Sequence, residues 1–224
     1  APPRTDAPLN ERGEPVYGDR DVVDLGKMRE LGVPFWIAGG AGRPDRLRAA
    51  LADGAVGVQV GGMFAFCDES GIDPALRRSV VEHAARGEVE VFTDPQASPT
   101  GFPFKVVNWP ADPALGVERV RICDLGYLRV AYRTPSGGIG YRCASEPEVT
   151  YVAKGGDLAD TVGRRCLCNS LMATVGHAQV REDGTLEPPL VTGGDELKYL
   201  ADFLGPRTHY SAGDVIDWLL GARS

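Results

Sequence analysis

The hydrophobic pattern of residues 33–64 predicts two short strands that flank one helix. Apolar side chains dominate residues 33–37 and 56–60, and residues 43–53 between them have the spacing of an amphipathic helix. Each predicted strand is followed closely by a pair of glycines: Gly39 with Gly40, and Gly61 with Gly62. A strand–helix–strand order is typical of parallel strands, so both glycine pairs are expected at the same edge of one sheet.

Glycine pairs at the ends of parallel strands are typical of phosphate sites. Without a Cβ atom, the backbone can approach an anion closely and present its N–H groups to it. In a TIM barrel, the phosphate site is frequently built from the loops after strands seven and eight. The alternative is that the glycines form tight turns without a ligand. Two pairs at matching strand ends favour the phosphate.

The position of these strands in the chain predicts an incomplete barrel. Only 32 residues precede the first strand, too few for six earlier strands and helices. We therefore predict an α/β fold that is the C-terminal part of a TIM-like (β/α) barrel, with the earlier strands on a second polypeptide or removed. Residues 1–108 would hold the barrel strands, the phosphate site and a lid loop at 93–108. Residues 109–224 would form a turn-rich extension and C-terminal helices.

Further elements follow from periodicity, caps and turn residues. Helices are predicted at 21–31, 74–86, 161–175 and 194–204, a strand at 88–92, and a hairpin turn at 135–138. Ser211, with Asp214 three residues later, is expected to cap a last helix that ends at Leu220.

Charge and hydropathy exclude several classes of partner. The chain has 24 basic and 31 acidic residues and a net charge of −7, whereas binding to nucleic acid or to an anionic membrane needs a clustered basic face. No apolar run approaches the ~20 residues of a membrane span. These features predict a cytoplasmic protein that acts on a small molecule.

The cysteines allow two interpretations. Cys67 stands apart, whereas four others fall in the predicted extension: Cys123, Cys143, Cys166 and Cys168. Four thiolates can hold zinc or an iron–sulfur cluster, although one Cys-x-Cys with two isolated partners is an unusual spacing. The alternative is that all four are buried free thiols that pack as small apolar residues.

Several segments resemble the nitronate monooxygenase family, FMN-dependent TIM barrels once called 2-nitropropane dioxygenases. The resemblance runs through most of the chain and is carried by residues 34–40, 57–64, 92–105, 166–169 and 214–216. It implies a flavoprotein monooxygenase in which Gly39, Gly40, Gly61 and Gly62 bind the FMN phosphate. The family usually has Gly-Thr where this chain has Gly61-Gly62, so one hydroxyl that could bind the phosphate is absent.

The resemblance assigns no catalytic residue to this chain. In the family, a Gly-Gly-His motif that supplies the base precedes the segment that resembles residues 1–4. None of the three histidines present (His83, His177 and His209) lies in a nucleophile motif. We therefore expect an N-terminal barrel half to complete the enzyme as a complex. Two alternatives are an FMN-dependent enoyl-thioester reductase and a non-catalytic scaffold partner of a flavoenzyme.

Overall fold

A computed structural model describes residues 8–222 of the chain. The segment at 1–4 that enters the family resemblance lies outside the described residues. The described chain divides into two compact units, each assembled from three separate segments. The cysteine unit comprises residues 8–16, 92–106 and 112–191. The glycine-edge unit comprises residues 17–91, 107–111 and 192–222. The predicted division into 1–108 and 109–224 is a different partition and stays a prediction.

The described residues form a mixed α/β structure. Its helices are α1 Leu25–Glu30, α2 Pro44–Ala52, α3 Gly62–Ala65, α4 Pro74–Ala85, α5 Glu148–Ala153, α6 Leu167–Thr174, α7 Leu200–Leu204 and α8 Ala212–Leu220. Its strands are β1 Trp36–Ala38, β2 Gly57–Gln59, β3 Glu90–Asp94, β4 Phe104–Asn108, β5 Val130–Arg133 and β6 Ile139–Arg142. Short 3₁₀ turns lie at Asp19–Asp21, Leu158–Thr161 and Asp195–Tyr199.

The strands pair in three two-stranded sheets, and the described residues contain no closed barrel. The pairs are β1 with β2, β3 with β4, and β5 with β6. β1 and β2 are parallel, as predicted, whereas β5 and β6 form an antiparallel hairpin around the predicted turn. The mixed α/β class is as predicted, and the partial barrel stays a prediction. No helix among residues 8–222 is long and apolar enough to cross a membrane.

Local signals define several helix ends in the glycine-edge unit. At α4, the Asp73 side chain accepts hydrogen bonds from the amides of Ala75 and Leu76, both at 3.0 Å. At α8, Ser211 and Asp214 form the predicted capping box, in which each side chain accepts from the other residue's amide. These caps satisfy N–H groups that have no partner inside the helix.

An apolar core fills the glycine-edge unit. α4 packs against α7, and α8 contacts both α2 and α3. The fully buried side chains include Val80, Leu200, Leu204, Tyr210 and Val215. A smaller cluster of Phe35, Ala50 and Ala55 packs α2 against β1 and β2.

The cysteine unit has little regular structure, and arginines satisfy many of its loop carbonyls. Their guanidinium groups donate to main-chain oxygens of distant residues: Arg119 to Pro188 and Pro189, Arg121 to Ala144 and Thr161, Arg142 to Lys154, and Arg164 to Gln96 and Ser98. A small apolar cluster of Val106, Leu167 and Leu190 completes the interior.

Several predicted boundaries were wrong. The predicted lid loop at 93–108 contains β4, because the apolar run from Phe104 to Val107 extends as a strand although prolines and glycines precede it. The predicted helix at 161–175 is reduced to α6, and the one at 21–31 is reduced to α1, which a separate 3₁₀ turn at Asp19–Asp21 precedes. The predicted helix at 194–204 begins with the 3₁₀ turn Asp195–Tyr199.

Candidate functional site

The two glycine pairs lie side by side, as the parallel strands require. The register pairs Trp36 with Gly57 and Ala38 with Gln59. Gly39 and Gly40 follow Ala38 directly, and Gly61 and Gly62 follow two residues after Gln59. The carboxyl edge of β1–β2 therefore carries both pairs, and we call it the glycine edge.

Three of the four glycines leave open space at this edge. Gly39 and Gly40 have φ angles of 89° and 64°, a region that favours glycine, and nothing lies within 4 Å of the position that a Cβ would take at either residue. Gly61 has an ordinary φ of −103° and is also open. A phosphate could approach the backbone closely at these three residues.

Gly62 has a different environment, because the side chain of Glu196 packs against it. A Cβ at Gly62 would lie 3.2 Å from Glu196 Oε2 and 3.2 Å from the Gly194 amide nitrogen. Glu196 is only 7% exposed. A side chain at position 62 would therefore require Glu196 or the Gly194 backbone to shift by a few tenths of an ångström. A carboxylate at this point opposes a phosphate, and the role of Gly62 in binding stays a prediction.

Two arginines supply positive charge near the glycine edge. The Arg43 guanidinium donates to Asp45 Oδ1 at 3.0 Å and lies over the Tyr199 ring at 5.1 Å. This hydrogen bond raises the pKa of Arg43 and lowers the pKa of Asp45. Arg46 lies three residues after Arg43, in the first turn of α2, and lines the groove beside Gly39 and Gly40.

Two concave surfaces adjoin the glycine edge. The groove beside α2 has a volume of about 360 Å³ and is lined by Ile37, Gly39, Gly40 and Arg46 among others. A cleft next to Gly40, Arg43 and Glu196 measures only about 80 Å³. Ligand sites usually measure roughly 300–1,000 Å³. The groove, and not the cleft, therefore has the size of a cofactor site.

The residues of the groove fit a phosphate-bearing cofactor in part. Gly39 and Gly40 provide open backbone in the groove and Arg46 provides a cation, whereas Gly61 is open but lies outside the groove lining. Glu196 and Gly62 were not expected to be neighbours, and no sequence signal could have linked them, because 134 residues separate them along the chain. Arg46 is different, because it lies only six residues after Gly40: sequence reasoning treated it as part of an amphipathic helix, although a basic residue so soon after a glycine turn could have indicated it.

The structure shows no metal-binding group among the residues that it describes, including the four cysteines of the predicted metal site. Among residues 8–222, no three or more His, Cys, Asp or Glu side chains are placed to share a metal ion. Cys123, Cys143, Cys166 and Cys168 are all free thiols. Cys166 occupies the N-cap position of α6 without a capping hydrogen bond from its side chain, and Cys168 lies in the first turn of the helix. The assignment of these four cysteines as zinc or iron–sulfur ligands stays a prediction.

Cys123 and Cys143 influence each other's titration. A hydrogen bond between their thiols lowers the pKa of Cys123 and raises the pKa of Cys143. The Arg129 side chain bonds to Cys123 and lowers its pKa further. Burial raises the pKa of Cys166 to about 11. Cys67 lies in the other unit, where its thiol donates to the Phe64 carbonyl at 3.1 Å and burial raises its pKa.

The histidines occupy three unrelated places. His83 bonds through Nδ1 to the Ser79 carbonyl at 2.7 Å, within α4. His177 is exposed, and the exposed His209 pairs through Nδ1 with Asp68 Oδ2 at 2.7 Å. None of them lines the groove or the cleft at the glycine edge.

Comparisons with known proteins add only weak structural similarity. No family model matches the sequence, and no curated protein matches it. A solved structure of a FabK mutant from Thermotoga maritima resembles the chain with a TM-score of 0.42 and 18% sequence identity. The similarity covers 89% of this chain and 44% of that chain, so this chain spans less than half the length of its neighbour.

Proposed function

We propose that this chain is the FMN-binding part of a nitronate monooxygenase-like flavin oxidoreductase, completed by an N-terminal barrel half on a second polypeptide. One observation carries the proposal: the two glycine pairs are neighbours at the carboxyl edge of a parallel strand pair. Ligands of α/β sheets bind outside this edge. The segments that resemble the family contain these strands.

In this proposal, Gly39, Gly40 and Gly61 hold the FMN phosphate through their backbone. Arg46 adds a positive charge in the groove that Gly39 and Gly40 line. The bound flavin would supply the electron transfer from the substrate to dioxygen. This chain binds and orients the cofactor, and the base that removes the substrate's α-proton comes from the partner half.

Exposed apolar side chains around β1–β2 support a missing partner. Trp36 is 62% exposed, and Val33 and Val56, which precede the two strands, are 57% and 53% exposed. Parallel sheets are almost always covered on both faces, because their strands are apolar on both sides. Additional barrel strands next to β1–β2 would cover these residues.

Flavin binding can be tested without straining the fold. Gly61→Val introduces a side chain where φ is ordinary and where nothing lies within 4 Å, so the fold should survive. The branched side chain would occupy the place of the phosphate. We expect FMN affinity, measured by fluorescence quenching on the reconstituted complex, to fall at least tenfold. Gly71→Val is the matched control, because Gly71 is exposed and equally open.

An unchanged affinity in Gly61→Val would place the phosphate elsewhere.

Glu196→Gln tests whether Gly62 contributes to phosphate binding, because it removes the opposing charge and keeps the shape of the side chain. We expect this variant to bind FMN more tightly, with a larger effect at low salt. Weaker binding would mean that the Glu196 carboxylate supports the site and that Gly62 does not contact the phosphate.

The reaction and the partner need separate measurements. Oxygen uptake with a nitronate, without NAD(P)H, supports the proposal, whereas NAD(P)H oxidation coupled to an enoyl thioester would identify a reductase instead. A complex that binds no flavin would favour a scaffold role.

Sedimentation and urea denaturation of the isolated chain test the split barrel. A compact monomer that unfolds cooperatively would contradict the need for a second half.

A further inference from the structure

The cleft beside the glycine edge has a buried carboxylate in its wall. Glu196, in the 3₁₀ turn Asp195–Tyr199, lines this cleft and is 7% exposed. A Cβ at Gly42 would lie 3.1 Å from Glu196 Cγ, so the glycine leaves the room that this side chain fills. All of these residues belong to the glycine-edge unit. The fold therefore places an acidic side chain in the packed wall of a concave surface.

The Glu196 carboxylate has no partner within the described chain. Among residues 8–222, no N–H or O–H group donates a hydrogen bond to it, and no basic side chain forms an ion pair with it. Burial of a carboxylate without a partner is unfavourable, because the group loses its hydration and gains no hydrogen bond. Its oxygens are therefore available to a donor that enters the cleft.

The charges that line the cleft leave a negative surplus. The lining contains one basic and three acidic side chains. Two of the four have partners of opposite charge outside the lining: Arg43 with Asp45 at 3.0 Å, and Asp195 with Lys198 at 2.8 Å. The remaining two, Glu196 and Asp202, are both acidic. The cleft therefore attracts a cation.

Aromatic rings form another part of the wall. Phe203 and Trp218 line the cleft and pack edge to face, with ring centroids 5.7 Å apart. Tyr199 lines it from the 3₁₀ turn. Aromatic rings attract cations and also pack against alkyl groups. In addition, no three His, Cys, Asp or Glu side chains of residues 8–222 are placed to share a metal ion. This wall suits an organic cation.

The size of the cleft limits the ligand. Its volume is about 80 Å³. This is roughly the space that two to three water molecules occupy in the liquid. A short primary alkylammonium ion has this size. It carries one positive charge, and its N–H groups can all donate hydrogen bonds, as those of a lysine ammonium do.

We propose that this cleft binds a short primary alkylamine in its protonated form. The ammonium group donates to the Glu196 carboxylate, and the alkyl chain lies against the aromatic wall. The proposal rests on the unpartnered buried carboxylate, the surplus of negative charge and the rings of Tyr199 and Trp218. It does not depend on flavin binding, and no covalent bond is made or broken.

The tryptophans make the site directly observable. The chain has three, of which Trp218 lines the cleft, Trp36 lies in β1 and Trp109 is buried. The full chain is labelled with fluorotryptophan, and ethylamine is added at neutral pH without flavin. Fluorine NMR, with the Trp218 signal assigned through Trp218→Phe, should show a saturable shift at Trp218 alone. We expect an affinity in the millimolar range, since so small a ligand makes few contacts. No saturable shift, or equal shifts at all three tryptophans, would overturn the proposal.

Other cations distinguish the proposed ligand from two alternatives. Tetramethylammonium has the same charge but no N–H group, so it should bind at least about tenfold more weakly than ethylammonium. Potassium at the same concentration should not displace ethylamine. Equal or tighter binding of tetramethylammonium would mean that the aromatic wall alone selects the ligand. Displacement by potassium would identify a site for an inorganic cation. Either result would overturn the proposal.

Glu196→Gln tests the role of the carboxylate, because it removes the charge and keeps the shape of the side chain. The affinity for ethylamine should fall roughly tenfold to a hundredfold, as for the loss of a hydrogen bond to a charged group. Asp217→Asn is the matched control, because Asp217 is exposed on α8 and its replacement changes the net charge equally. Unchanged signals of Trp36 and Trp109 would show that each variant is folded. An unchanged affinity in Glu196→Gln, or an equal loss in Asp217→Asn, would contradict the assignment of Glu196 as the ammonium acceptor.

Discussion

The interior of the glycine-edge unit is built from apolar side chains, whereas the interior of the cysteine unit contains a charged network. In the first, Leu200 and Val80 are fully buried within packed helices. In the second, the buried Glu187 carboxylate accepts hydrogen bonds from Arg119, Arg181 and Ser170. Helices satisfy their own carbonyls, but loops need other donors. A unit that consists mostly of loops therefore buries more charge.

The largest expected effect comes from Glu187, because it holds two arginines. Glu187→Ala would leave Arg119 and Arg181 without their shared carboxylate inside the unit. Breaking a buried ion pair typically costs about 3–5 kcal/mol of unfolding free energy, measured by urea denaturation. The exposed Glu182 is the matched control, and Glu182→Ala should change stability by less than about 0.5 kcal/mol. Equal losses of stability in Glu187→Ala and Glu182→Ala would contradict the conclusion that buried charge stabilises the cysteine unit.

A core truncation should cost a similar or smaller amount in the glycine-edge unit. Leu200 is 0% exposed, and Leu200→Ala would remove buried methyl groups and leave a cavity. We expect a loss of about 2–4 kcal/mol. Leu220 is 70% exposed at the end of α8, so Leu220→Ala should have little effect. A small effect of Leu200→Ala would show that this unit, too, depends mainly on polar contacts.

Tyr210 combines both kinds of interaction. Its hydroxyl donates to the Met63 carbonyl at 2.7 Å inside the apolar core, and its ring packs edge-on against Phe203. Tyr210→Phe keeps the ring and removes the hydrogen bond. We expect a loss of about 1–2 kcal/mol at neutral pH.

Alkaline titration gives a second test of Tyr210. Burial raises its pKa above the ordinary value of 10.0. A raised pKa means that its contribution to stability is complete below about pH 10, where an unfolded tyrosine starts to ionise, and is lost as the pH rises further. The unchanged chain should therefore lose stability more steeply above about pH 10 than Tyr210→Phe. Parallel curves would mean that Tyr210 ionises freely in the folded chain.

The smallest effect is expected at the start of α8. Ser211→Ala removes the oxygen that accepts from the Asp214 amide at 3.1 Å. The loss of an N-cap costs about 1 kcal/mol. Thermal unfolding should detect it, and Ser211→Asn, which can cap equally well, should restore most of the stability. A full loss in Ser211→Asn would assign the effect to packing instead.

Local sequence patterns predicted the parts of the fold that depend on near neighbours. The order β1, α2, β2 follows from periodicity and glycines, and the cap at Ser211 follows from a motif of four residues. The strand β4 was missed because prolines and a glycine hid a short apolar run. The contact of Glu196 with Gly62 could not be predicted, because no local pattern connects residues so far apart in the sequence. Contacts of this kind arise only from tertiary packing.

The contact of α8 with α2 and α3 has a consequence for synthesis in the cell. Residues 44–65 leave the ribosome long before residues 212–220, which complete their packing surface. The glycine-edge unit therefore cannot close until residues 212–220 have been translated. Until then, the apolar faces of α2 and α3 are accessible to chaperones and to other nascent chains. A premature stop just before residue 212 would thus affect the packing of residues 44–65, although they lie far upstream of it.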